Sequence, residues 1–249
     1  MSSTSETGHA KNVANFEDLI SFATGYGTTY NPSKASIKIP ALNTLLTNSQ
    51  GALSTLKTKK TTFDNSTNAR EIAFESFKKY CTRIINALEA TDASKQTVDD
   101  AKTINRKLQG KRADKIVTPT PPADPNVKVE EIHHISVSQQ SFDNYIDNFD
   151  KLLKLVTAEP LYIPNETDLK ITGMNTTITN LKAVNTSVIN ATTPYSNSII
   201  ARDSTLYADG TGLVDIALEV KKYVKSVFGA TSPQYKQVSK LQFKSRRKK

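Results

Sequence analysis

The sequence predicts an all-α protein: two tandem antiparallel, up-and-down four-helix bundles related by internal duplication and joined by a Pro-rich linker. Three observations carry this expectation. Apolar residues recur at three- and four-residue spacing along most of the chain. The chain also repeats itself. Asn15-Phe16-Glu17-Asp18-Leu19-Ile20 returns as Asn148-Phe149-Asp150-Lys151-Leu152-Leu153, Ala69-Arg70-Glu71 as Ala201-Arg202-Asp203, and Leu108-Gln109-Gly110-Lys111-Arg112 as Phe243-Lys244-Ser245-Arg246-Arg247. Between the copies stand Pro119, Pro121, Pro122 and Pro125, which favour extended polyproline II and exclude helix. The expected layout is a disordered N-terminus at 1–9, bundle repeat 1 at 10–112, the linker at 113–137, bundle repeat 2 at 138–243 and a basic tail at 244–249. A three-helix unit with one helix pair fused is the alternative.

In repeat 1 the first helix is expected over about 11–24, with Val13, Phe16, Leu19, Ile20 and Ala23 on one face; Gly25-Tyr26-Gly27 stops it. Asn31-Pro32-Ser33 marks a turn. The second helix carries Leu42, Leu45, Leu46, Ser49, Ala52, Leu53 and Leu56, with Pro40 in its first turn or kinking it. The third, over about 62–90, buries Ile72, Phe77, Tyr80, Cys81, Ile84, Ile85 and Leu88. The fourth, over about 95–110, is capped by Ser94 or Thr97, and Asp99 and Asp100 suit its positive end.

Repeat 2 follows the same order. Phe142, Tyr145, Ile146, Phe149, Leu152, Leu153 and Val156 stripe its first helix, and Pro160 and Pro164 shape a loop with Tyr162 where repeat 1 has Tyr30. Leu169 to Val188 stripe the second helix. Ile199 to Val227 stripe a long third, with Gly210 and Gly212 expected to bend it and Gly229 to stop it. Ser232-Pro233 opens the last.

Composition narrows the function. Only 37% of residues are hydrophobic, so the apolar side chains must sit on narrow stripes. The net charge is +9: +6 over residues 1–112, −2 over 113–137 and +5 over 138–249. That last surplus equals the charge of Lys244, Arg246, Arg247, Lys248 and Lys249. These five form the candidate polyanion-binding residues, for nucleic acid, ribosome or anionic lipid. One cysteine, Cys81, permits no internal disulfide, and on an apolar stripe it reads as a small buried hydrophobe. The N-terminus has no basic region followed by an apolar one, and no apolar run nears eighteen residues. A cytoplasmic protein is the economical expectation.

Catalytic signatures are sparse. Gly25-Tyr26-Gly27 lacks the third glycine and the Lys-Ser/Thr of phosphate loops. Glu130-Glu131-Ile132-His133-His134 gathers potential ligands, but neighbouring histidines on an extended segment point to opposite sides, so Glu131, His133 and His134 are weak metal candidates. Arg70-Glu71 and Arg202-Asp203 read as helical or interhelical ion pairs of small value. Tyr30, Tyr162, Tyr195, Tyr207, Tyr223 and Tyr235 read as core-edge residues with rings inward and hydroxyls outward. No catalytic residue or cofactor is assigned.

Thr24-Gly25-Tyr26-Gly27, Asn68-Ala69-Arg70-Glu71-Ile72-Ala73-Phe74, Gln96-Thr97-Val98-Asp99-Asp100-Ala101-Lys102 and Lys225-Ser226-Val227-Phe228-Gly229-Ala230-Thr231-Ser232-Pro233 resemble uncharacterised hypothetical proteins of Bacteroidetes-type bacteria. The resemblance covers nearly the whole chain. It implies a bacterial setting and brings no activity, cofactor or catalytic residue. Duplication without a catalytic constellation leads to a non-enzymatic helical scaffold or adaptor with two paired surfaces for a protein partner. Polyanion binding through the tail is the alternative.

Overall fold

A computed structural model describes residues 8–110 and 140–245. The expectations for residues 1–7, for the linker with Glu131, His133 and His134, and for Arg246, Arg247, Lys248 and Lys249 lie outside the described residues. Among the described residues the regular structure is helical throughout: α1 (His9–Gly25), α2 (Ile39–Glu75), α3 (Phe77–Glu89), α4 (Lys95–Gln109), α5 (Phe142–Ala158), α6 (Ile171–Tyr207), α7 (Leu213–Phe228) and α8 (Pro233–Ser239). None of these helices is long and apolar enough to cross a membrane.

Local chemistry sets most of the ends. Ser94, Ser141 and Ser232 accept hydrogen bonds from the backbone N–H groups of Thr97, Asn144 and Tyr235, which caps α4, α5 and α8. Pro40 lies in the first turn of α2, where its missing N–H costs nothing. Gly110 leaves α4 at φ 73°, a left-handed conformation that a side chain strains. α1 begins at His9, inside the segment expected to be disordered.

The long helices depart from expectation. A break was expected near residues 57–61, yet α2 runs unbroken for 37 residues and ends only at Glu75. The stretch Lys57-Thr58-Lys59-Lys60-Thr61-Thr62 is polar but holds no glycine or proline. Thr58, Thr61 and Thr62 satisfy their hydroxyls on the carbonyls of Ser54, Lys57 and Thr58, four residues back. α6 is also 37 residues long and continues through Pro194. Gly210 and Gly212 do not bend a third helix but separate two: Gly210 adopts φ 71° between α6 and α7.

The chain divides into two compact units, one formed by 1–64 with 190–249 and the other by 65–189. This differs from the tandem boundaries expected at 10–112 and 138–243. The physical reason is the unbroken course of α2 and α6. Neither folds back at mid-length, so the first half of each expected repeat is not returned onto its second half. Unit 1 instead gathers α1 and the start of α2 with the end of α6, α7 and α8. Unit 2 gathers the end of α2, α3 and α4 with α5 and the start of α6.

Each unit closes on its own core. In unit 1, Phe16 and Leu19 of α1 are fully buried against Leu42, Leu206, Val220 and Val224. In unit 2, Phe149 and Leu152 of α5 are fully buried with Phe77, Ile84, Leu108 and Met174. Phe77 meets Phe149 edge to face at 5.3 Å, the geometry that the ring quadrupole favours.

Candidate functional site

Each unit carries a loop that joins a short helix to a long one, α1 to α2 in unit 1 and α5 to α6 in unit 2, and a tyrosine braces it. In unit 1 the Tyr30 hydroxyl donates to the Ile37 carbonyl at 2.6 Å. In unit 2 the Tyr162 hydroxyl donates to the Leu169 carbonyl at 3.0 Å. Both span seven residues, and both rings are buried. The hydroxyls expected to point outward therefore point in, because each loop doubles back and offers a carbonyl. Burial pushes Tyr162 up to about 12 and raises Tyr30 as well, with Tyr223 reinforcing the latter. The Tyr223 ring stands edge-on to Tyr30 at 5.3 Å. In unit 2, Tyr80 donates to the Asp168 carbonyl at 2.7 Å.

An ion pair ties each loop to another helix of its unit, α7 in unit 1 and α3 in unit 2. Lys34 meets Glu219 of α7 at 2.7 Å, and Arg83 of α3 meets both carboxylate oxygens of Asp168, at 2.5 and 3.3 Å. The Arg83 guanidinium holds the Asp168 carboxyl below its usual range. Gly173, at the start of α6, allows the Thr167 and Asp168 carbonyls to approach so closely that any Cβ there would collide with them.

The tips of these loops differ. Beside Tyr162, Leu161 is 48% and Ile163 79% exposed, whereas Thr29 and Asn31 flank Tyr30. Ile163 and Pro164 wall an open groove of about 500 Å³, completed by Arg83, Asn86 and Ala87 on α3, by Thr91 just after it and by Glu166. In unit 1 a smaller hollow of about 320 Å³ lies where Phe22 and Tyr26, at the end of α1, face Pro233 and Gln237.

The candidates read from sequence are not gathered around this groove. Lys244, the one described member of the basic set, lies near the end of an irregular strap, 241–245, that is hydrogen-bonded to α1. The side-chain amide of Asn12 donates to the Lys244 carbonyl at 2.9 Å and accepts from its N–H at 3.1 Å, as a neighbouring strand would. Asn15 donates to the Gln242 carbonyl at 2.7 Å. Both asparagines are buried, and their place on the inner face of α1 was the available signal that polar backbone must meet them. Tyr207 completes this corner, its hydroxyl 2.7 Å from His9 Nδ1.

Arg70 and Arg202 play different parts. Arg202 donates to the adjacent Asp203 at 2.6 Å, with both side chains largely covered. Arg70 does not take Glu71. It donates to the side-chain Oδ1 of Asn185 at 3.1 Å and lies over the Phe142 ring at 4.1 Å, while Nδ2 of Asn185 donates to Asp143 at 2.8 Å. Cys81 is fully buried, and burial pushes its thiol up to about 12, which leaves it unreactive. Among the described residues, no three His, Cys, Asp or Glu side chains gather to hold a metal ion.

The fold and these features define an all-helical protein of two core-forming units, each presenting a tyrosine-braced loop. No protein-family model, curated protein or solved structure matches this chain.

Proposed function

We propose that this chain is a non-enzymatic helical scaffold, derived by internal duplication, that presents two related but non-identical surfaces to protein partners. The observation that carries the reading is the pair of braced loops. The framework recurs in both units, down to a hydroxyl-to-carbonyl bond across seven residues, while the exposed tips diverge from Thr29 and Asn31 to Leu161 and Ile163. The equal length of α2 and α6 supports the duplication, since a copied helix keeps its length when its ends are fixed by packing. A braced loop loses little freedom on binding, so exposed apolar side chains on it cost little entropy to bury. The groove beside Ile163 has room for an apolar side chain of a partner, with Arg83 and Glu166 at its rim to select the flanking charges.

The test is site-specific photo-crosslinking from positions 31 and 163 of the full chain in its native cells. Position 163 is expected to capture a defined partner. The double substitution L161T/I163N, which installs the residues of the other loop, is expected to abolish that capture without changing the melting temperature. Equal capture by this variant would sink the reading.

A further inference from the structure

From Val220 to Ser245 every Asp, Glu, Lys or Arg position is a lysine: Lys221, Lys222, Lys225, Lys236, Lys240 and Lys244. They lie on the second half of α7, on α8 and the residue that ends it, and on the strap, elements of unit 1 of which α7 and α8 pack together. Lys221 is structural: its ammonium donates to the Ser239 and Leu241 carbonyls at 3.2 and 2.9 Å and pins the strap. The other five are exposed, and none forms an ion pair among the described residues. The two acids of α7 lie in its first half and are engaged. Asp215 accepts from the Gly210 N–H at 2.8 Å, and Glu219 holds Lys34. The matching stretch of unit 2 is mixed: Glu89, Asp92, Asp99 and Asp100 interrupt the cations of α3 and α4, and Lys102 pairs with Glu89.

We propose that the α7–α8–strap face is a sequence-independent binding surface for the phosphate backbone of nucleic acid. This reading does not rest on the loops. Lysines are compact, hydrated point charges that neutralise phosphates without a fixed partner geometry. No arginine stands on the described part of this face to make the bidentate contacts that read bases. Lys225 lies over the Tyr235 ring at 5.6 Å and Lys221 over Phe243 at 5.9 Å, so partly exposed aromatic edges accompany the charge, as in surfaces that take sugars and bases. An anionic membrane fits less well. Interfacial helices bury an apolar face in lipid. Here Val238 is turned inward, and Val227 is the one strongly exposed large hydrophobic of the stretch. Lys244, the described member of the basic set, belongs to this face.

The experiment is fluorescence anisotropy of the purified full chain with a short random-sequence DNA duplex across a salt series, beside K225E/K236E/K240E, its Lys→Gln counterpart and a chain ending at Ser245. Helical circular dichroism confirms folding, and the glutamine variant serves if charge reversal perturbs it. The intact chain is expected to bind with steep salt dependence. The triple variant is expected to bind at least about tenfold more weakly, with a log–log salt slope shallower by about 2 to 3. The shortened chain is expected to retain weaker, still salt-dependent binding. The proposal is overturned if the intact chain does not bind at low salt, or if the triple variants bind as the intact chain does. Tighter binding to anionic vesicles or polyglutamate than to the duplex would overturn it as well.

Discussion

The two loops hold the same fold with opposite charges. In unit 1 the loop supplies the cation, Lys34, and α7 the acid, Glu219. In unit 2 α3 supplies the cation, Arg83, and the loop the acid, Asp168. The tyrosine beneath each loop, by contrast, keeps its bond to a carbonyl seven residues on. A buried hydroxyl must find its partner or pay desolvation, so it resists change. An exposed ion pair is worth little, so its polarity is free to invert. Burial, not charge, therefore separates what both units share from what makes them different.

The most severe way to break this comparison is to remove the ring at the centre of each core. Phe16→Ala and Phe149→Ala are each expected to cost about 3–5 kcal/mol. Hydrogen exchange should show the loss in α7 for the first and in α4 for the second, the helices that pack against α1 and α5. Equal loss of protection in both helices from either change would refute separate cores. Next come the braces. Tyr30→Phe and Tyr162→Phe each strip a donor from a buried carbonyl and are expected to cost about 1–3 kcal/mol by chemical denaturation. A cost at only one of them would break the parallel between the loops.

The alkaline limb sharpens the contrast further. Cys81 rises from its ordinary 9.0 to about 12, and Tyr162 from 10.0 to about 12. Above pH 9 the unfolded chain surrenders these protons before the folded one does. It then binds fewer protons, so stability is fully present below pH 9 and falls as pH rises towards 12. Denaturation midpoints across that window should fall, and less so for Cys81→Ala. Unit 2 holds the lone cysteine, so a thiol reagent at neutral pH should label it only as fast as that unit opens. The smallest effects are expected from Lys34→Ala and Asp168→Asn, whose exposed partners should shift the thermal midpoint barely measurably and less still in high salt.

Much of the helix inventory was legible as periodicity. α1, α5 and the start of α7 bury the stripes expected of them, and Ser94 and Ser232 cap as their positions suggest. The run from Lys57 to Thr62 misled because polarity without glycine or proline is a weak stop signal. The real break, at Ser76, carries neither residue. Stripes also report which face is buried and not what covers it. The pairing of α1 with α7 and of α4 with α5 was therefore beyond reach, and with it the division of the chain. At the candidate surfaces, the position of Tyr162 was readable but its hydroxyl's inward course was not, since that depends on the loop's return. The lysines of α7 and α8 were lost in a regional balance that averaged them with acids nearer Phe142.

The strap that ties Asn12 to Lys244 sets a schedule for folding. Residues 65–189 are contiguous and can close as soon as they leave the ribosome, whereas α1 must wait for α7, α8 and the last residues of the described chain. At ordinary elongation rates the apolar face of α1, with Phe16 and Leu19, waits for its α7 partners for on the order of ten to forty seconds. α1 is made well before the helices that cover it, so the nascent chain carries an apolar face ahead of it until α7 and α8 have emerged.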